Sequence, residues 1–230
     1  MPMQPLFHDR YEAGRKLAAV LGSLRMRDPL VLALPRGGVP VAYEIARALD
    51  ADLDLLFVRK LGAPGQEELG IGAIVDGAEP QIVLNDEIVR YVAASPDYIR
   101  AETERQLREI DRRRDAYLLG RAPLPMNGRT VLVVDDGIAT GGTMMAALKG
   151  ARKNQVARLI LAIPVAPREA LRELATACDE IICLATPAPF GSVGMYYTDF
   201  AQTTDAEVVD LLSRAAIARR RAGPVTGNPE

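Results

Sequence analysis

The chain is short of the residues on which several large enzyme classes depend. Its only histidine is His8, so neither a histidine-rich metal site nor a Ser-His-Asp triad can be assembled from its own residues. Its two cysteines, Cys178 and Cys183, lack Cys-x-x-Cys spacing and read as inert core thiols. No apolar run approaches the length of a membrane span, and Met1-Pro2-Met3-Gln4-Pro5 lacks the charged-then-apolar order of a signal peptide. A cytoplasmic protein with no membrane partner is expected. A formal net charge of −2 argues against an electrostatic nucleic-acid binder, so any phosphate chemistry must be local. Aromatic residues make up only 5% of the chain, which makes their concentration at 190–200 conspicuous. Lysine occurs only at 16, 60, 149 and 153, so Lys60 stands out within a glycine-rich stretch.

What is present is ordinary for a globular protein. The 230 residues, 49% hydrophobic and 25% charged, suffice for one domain with a well-buried core, placed at 1–215 with a flexible tail at 216–230. Tyr11, Leu17, Leu21 and Leu24 recur at helical spacing within 9–24. Apolar runs at 30–34, 53–58, 70–75, 131–134, 157–165 and 180–185 read as strands, with helices at about 39–49, from 144, and from Pro167 to 177. Residues 59–68 are too glycine-rich and polar for a regular element. A helical insert spans about 85–119, with Ser95-Pro96-Asp97 as an N-terminal start signal. Its Arg112-Arg113-Arg114 run, flanked by Glu109, Asp111 and Asp115, reads as a solvated helix face. Thr204-Asp205-Ala206-Glu207 is a capping box for a last helix. This order implies an α/β fold: an open, mostly parallel sheet with helices on both faces, a helical insert and a small hood at about 186–203.

Residues 131–148 carry the chemistry. Val131 to Val134 form a buried strand ending in Asp135 and Asp136; Ala139-Thr140-Gly141-Gly142-Thr143 then turns into a helix. Backbone N–H groups, two hydroxyls and the positive end of a helix dipole can converge there on one anion. Read alone, the stretch could also be a strand–turn–helix junction in which the acids merely cap. A phosphatase-like or kinase-like use of Asp135 is disfavoured, because the chain has neither a Gly-x-x-x-x-Gly-Lys loop nor Asp-x-Asp spacing.

Four apolar residues, two acids, three variable positions and Thr-Gly resemble the signature of the type I phosphoribosyltransferases, in a version most similar to that of adenine phosphoribosyltransferases. The opening Phe7-His8-Asp9-Arg10-Tyr11-Glu12-Ala13-Gly14 resembles bacterial phosphoribosyltransferase-domain proteins of unsettled substrate. The resemblance covers roughly 30–185 in element order and is specific at 131–143. It implies that Asp135 and Asp136 hold the ribose hydroxyls of phosphoribosyl pyrophosphate, directly or through Mg²⁺ bound mainly by the substrate. Ala139, Thr140, Gly141, Gly142 and Thr143 would cradle the 5′-phosphate, and Arg36, Gly37 and Gly38 would grip the pyrophosphate. Arg59 and Lys60 would belong to a flexible loop that closes over the substrate, with Glu67 or Glu68 near the incoming nucleophile or in solvent. Pro35-Arg36-Gly37-Gly38 alone would be only a tight turn. Ala139 stands where some purine enzymes carry an Asp, so no general base is assigned. Phe190, Tyr196, Tyr197 and Asp199 are hood candidates for an unidentified base, or else a satellite hydrophobic cluster under the last helix. The implied activity is pentosyl transfer to a nitrogenous base or small heterocycle. The alternative is a non-catalytic sensor of phosphoribosyl pyrophosphate or nucleotides. A homodimer is expected, with the insert as its interface.

Overall fold

The computed structural model describes residues 4–77 and 79–222. Asp9 accepts from the Glu12 amide and starts helix α1 (Arg10–Leu21). The chain continues through β1 (Pro29–Ala33), α2 (Gly38–Leu49), β2 (Asp52–Leu55), β3 (Val58–Ala63), β4 (Gln66–Val75) and β5 (Gln81–Leu84). Then come α3 (Asp86–Tyr91), α4 (Pro96–Leu118), β6 (Thr130–Val134), α5 (Gly142–Lys153), β7 (Arg158–Val165), α6 (Arg168–Leu174), β8 (Glu180–Ala185) and α7 (Asp205–Ala222). Five strands form one parallel sheet in the order β2-β1-β6-β7-β8.

The strands read as unbroken apolar runs because both faces are covered. Val31, Ala33, Leu132 and Val134 pack with α1, α2 and α7. Leu30, Leu32, Val131 and Val133 face the other way, into the core built by α5 and α6. The parallel sheet with helices on both faces is therefore as expected. Among the described residues, no helix is long and apolar enough to cross a membrane. Both cysteines are half-buried and free, and burial pushes both thiols above their usual range.

Four readings need correction. Residues 59–68 are not irregular: β3 and β4 pair antiparallel across them, and β5 joins β4 to make a second, three-stranded sheet. The glycines that suggest a loop allow close strand approach instead; a Cβ on Gly72 would clash with the Val83 carbonyl and the Leu84 backbone. For the same reason 70–75 belongs to this antiparallel sheet, and 53–58 divides at Leu56-Phe57 between two sheets. Thr204 caps the last helix, its Oγ1 accepting from the Glu207 amide at 3.1 Å while the Glu207 carboxylate accepts from the Tyr11 hydroxyl, but α7 runs on through 216–222, residues expected in the tail. Residues 223–230 lie outside the described residues.

The fourth correction is Arg114, which is buried rather than solvated. Its guanidinium bridges Asp76, at the end of β4, and Asp54 in β2 at 3.3 Å, while Asp54 also accepts from the Leu124 amide at 2.8 Å. Burial raises the Asp76 carboxyl even with Arg114 beside it. This triad fastens α4 to both sheets. Replacing Arg114 by Met strands two buried carboxylates and is expected to cost about 3–5 kcal/mol in urea unfolding. Adding Asp54→Asn and Asp76→Asn should restore a large part of that loss; no recovery would mean that Arg114 acts through packing alone.

Candidate functional site

In an open parallel sheet, ligands bind where the strand order reverses, at the carboxyl ends of the strands. Here that point lies between β1 and β6. Past β1 the chain makes the turn Leu34-Pro35-Arg36-Gly37, with a cis Pro35–Arg36 peptide bond, and enters α2. Past β6 it carries Asp135 and Asp136 and then the turn into α5. The two turns touch. A Cβ on Gly37 would fall on the Asp136 carboxylate, and one on Gly38 would come within 2.9 Å of the Asp135 Cα. The Pro-Arg-Gly-Gly glycines are thus set by contact with the acidic pair.

The pair is mostly buried. Asp135 Oδ1 accepts from the Asp136 amide at 2.8 Å; burial and the neighbouring charge push its carboxyl well above the usual carboxylate range. Asp136 is raised by burial as well, and Arg10 pulls it back: Arg10 Nε donates to Asp136 Oδ2 at 2.7 Å. Arg10 is itself fixed, donating from Nη1 to the Ala201 carbonyl at 2.7 Å and lying 3.9 Å above the Phe200 ring. Tyr197 donates its hydroxyl to the Asp136 carbonyl at 2.6 Å. Sequence reasoning misses Arg10 as a site residue; its only signal is its place in the Phe7–Gly14 opening.

The turn at 139–143 is open. Ala139, Thr140, Gly142 and Thr143 are exposed, Gly141 takes a left-handed φ of 83°, and no side chain caps α5. Its first amides and its dipole are left to an anion. Across the cleft, the Gly38 amide is already bonded to the Leu34 carbonyl at 3.1 Å. A group held on this side would therefore use the Arg36 and Gly37 amides.

Other candidates go elsewhere. Arg36 turns its guanidinium away toward Asp205, 3.3 Å from Oδ1. Arg59 lies on β3 and donates from Nε to Gln106 of α4 at 3.0 Å; Lys60, next to it, is exposed with its stem over Gly70. Both sit on β3. Tyr196 and Tyr197 are buried with Phe7 and Val165, and Phe190 packs on Tyr196 at 5.1 Å. These tyrosines form the satellite cluster rather than a stacking surface. Asp199 accepts from the Ala201 amide at 2.9 Å and shapes its own turn.

Among the described residues, no group of three or more His, Cys, Asp or Glu could hold a metal by itself. Two adjacent carboxylates, one tied to an arginine, suit an ion that keeps its waters and is held mainly by a bound polyanion, the habit of Mg²⁺.

A family model described as "Phosphoribosyl transferase domain" matches residues 8–198. A protein of Mycobacterium tuberculosis H37Rv, provisionally named a phosphoribosyl transferase, is 46% identical over 220 residues, which is 96% of this chain and 49% of that protein. The chain thus spans about half the length of that relative. A ribose-phosphate pyrophosphokinase of Methanopyrus kandleri is 30% identical over 179 residues, covering 69% of this chain and 62% of its own. The crystal structure of the protein TT1426 from Thermus thermophilus superimposes with a TM-score of 0.80 at 41% identity, over 90% of this chain and 98% of that one.

The electrostatics of the pair predict a trade of stability against function. Asp135→Asn keeps an acceptor for the Asp136 amide and removes a buried charge, so it should stabilise the fold at neutral pH. Because the folded-state pKa is raised, the wild-type contribution is intact below the normal carboxylate range and is lost as pH rises. The advantage of Asn should therefore shrink toward zero in acid. Thermal melts of both proteins from acid to neutral pH check this, and a less stable variant at neutral pH would contradict it.

Proposed function

The chain belongs to the phosphoribosyl transferase family, and from that premise we propose that it transfers 5-phosphoribose from phosphoribosyl pyrophosphate to a nitrogen of a base or small heterocycle, releasing pyrophosphate. The observation that carries this reading is the contact of Gly37 and Gly38 with Asp135 and Asp136 beside the uncapped start of α5. Three binding functions meet there. With Oδ2 held by Arg10, Asp136 offers Oδ1 to a ribose hydroxyl, and Asp135 lies next to it. The turn 139–143 receives the 5′-phosphate on backbone amides and on the hydroxyls of Thr140 and Thr143. The amides of Arg36 and Gly37 face the departing diphosphate. Mg²⁺ bound through the substrate would neutralise charge on the leaving group. As the C1–oxygen bond breaks the ribose becomes cationic, and the neighbouring carboxylates favour that charge. Ala139 supplies no base, so the incoming nitrogen must lose its proton elsewhere. The same reading places the protein in the cytoplasm as a homodimer, with the exposed Tyr91 at the end of α3 supporting the insert as its contact.

A second reading is a sensor that binds the donor without turning it over. It is favoured by Arg59, which is bonded to Gln106 rather than turned to the acidic pair.

Calorimetry with phosphoribosyl pyrophosphate and Mg²⁺ should give tight binding, and a panel of purines, pyrimidines and other nitrogen heterocycles should include an acceptor that releases pyrophosphate. Binding with no turnover on any acceptor selects the sensor. Asp135→Asn with Asp136→Asn should weaken donor binding by roughly a hundredfold or more, since two charge-assisted hydrogen bonds are lost, while Thr140→Ala should cost about tenfold. Arg10→Met should fall between them by freeing the Asp136 carboxylate. Unchanged affinity in the double variant would refute the site.

A further inference from the structure

Behind the turn that follows β1 lies a cavity of about 290 Å³ that the donor reading leaves unused. It opens between that turn, α4 and the first residue of α7, and is lined by Arg36, Phe57, Arg112, Arg113, Tyr117 and Asp205. Phe57 and Tyr117 stack in its wall, 6.1 Å apart and 11° from parallel. Three arginines therefore line one small space. Two carboxylates answer them. Asp205 accepts from the Tyr117 hydroxyl at 2.7 Å and more loosely from Arg36 at 3.3 Å. Glu109, on the same helix, accepts from Arg112 through Nε and Nη2 and from Arg113 through Nε, all at 2.9 Å.

Those bonds to Glu109 engage Arg113 only at Nε, so its terminal amino groups can donate to a ligand. Arg36 holds Asp205 by a single contact at the long end of the hydrogen-bond range. A planar guanidinium pairs more strongly with a doubly charged oxyanion presented bidentately than with one carboxylate oxygen at that distance. The cavity also sits at the lower limit of ligand pocket sizes, which suits a compact ligand and not a nucleotide.

We propose that this cavity is a second anion site, taking a phosphoryl oxyanion of the orthophosphate or pyrophosphate class that replaces Asp205 on Arg36 and is closed by Arg112 and Arg113. Its ligand lies on the opposite side of the Pro35–Gly37 turn from the acidic pair. None of the acidic pair or the 139–143 turn lines it, so the inference stands without the donor reading. Because Arg36 precedes the glycine that abuts Asp136, an anion here would act on the donor site through one peptide unit.

The test is calorimetric titration of the full chain with sodium pyrophosphate and, separately, with orthophosphate. Binding should weaken at least about tenfold in Arg112→Gln with Arg113→Gln, each removed donor pair being a charge-assisted contact. It should tighten severalfold in Asp205→Asn, which keeps the acceptor for Tyr117 and removes the competing charge. Asp135→Asn with Asp136→Asn should leave this affinity unchanged. The tighter of the two anions identifies the ligand. Circular dichroism of the arginine variant checks its fold, and the gain expected in Asp205→Asn reads the site even if that variant unfolds. Wild-type affinity in a folded arginine variant, no gain in Asp205→Asn, or loss confined to the acidic-pair variant would each overturn the proposal. Pyrophosphate binding that follows this pattern in a protein without phosphoribosyl pyrophosphate binding would overturn only the donor reading.

Discussion

Two adjacent carboxylates at the buried end of a central strand are the constraint around which the rest of this molecule is arranged. Burial disfavours a charged carboxylate and a second one beside it adds repulsion, and Asp135 registers both in a carboxyl pushed well above its usual range. The fold answers from three directions. An arginine comes from the amino-terminal helix, a tyrosine hydroxyl binds the Asp136 carbonyl, and the facing turn brings backbone with no side chain. The 197–201 segment is held against the amino-terminal residues by backbone bonds from Thr198 to Phe7 and from Asp199 to His8, and the acidic pair adds to that hold. Arg10 and Tyr197 together tie that segment to Asp136, the arginine through the Ala201 carbonyl and the Phe200 ring and the tyrosine through its own hydroxyl.

The parallel sheet sets where this electrostatic cost falls. The strand order reverses at β1 and β6, so two turns diverge from neighbouring strand ends and leave a crevice between them. One turn leads into α2 and the other into α5, and both carry glycine where the helix begins. The antiparallel sheet of β3, β4 and β5 lies outside this geometry. It is joined to the rest by the buried Arg114 between Asp54 and Asp76, and by Arg59 on Gln106. Residues expected in a closing loop are thus parts of a strand packed on the insert.

What can be read from the sequence is local, and what escapes it is contact at a distance. The strand ending in Asp135-Asp136 and the turn after it are legible because their meaning lies within a dozen residues, as are the caps at Ser95 and Thr204. The β3–β4–β5 sheet is not, because its glycines serve neighbours across strands and look like loop composition along the chain. Arg10 is equally hidden, since its partner stands 126 residues away. Arg114 carries a signal that periodicity exposes. Ile110, Arg114 and Leu118 follow one another at i, i+4 on a helix, and all three are buried, so the arginine belongs to the apolar stripe and not to the run of charge around it. The paired tyrosines are ambiguous in principle, because an aromatic cluster can stack on a ligand or on itself.

The turn Pro35–Gly37 separates two opposite electrostatic environments with a wall one backbone thick. On one side lies the acidic pair, against which only glycine fits; on the other, Arg36 reaches toward Asp205 and the arginines of α4. A phosphoribosyl donor has the same polarity, since its ribose hydroxyls want acceptors and its diphosphate wants cations. On the proposed reading the amides of the turn face the diphosphate while its only charged side chain points into the second cavity. The charge that would stabilise the leaving group is therefore stored behind the wall, held by a carboxylate at 3.3 Å. That arrangement makes Asp205 a competitor for Arg36 in any state where phosphoryl oxygens approach the turn. Arg114 fastens α4 to both sheets, and the same helix carries Arg112 and Arg113 into the lining of that cavity.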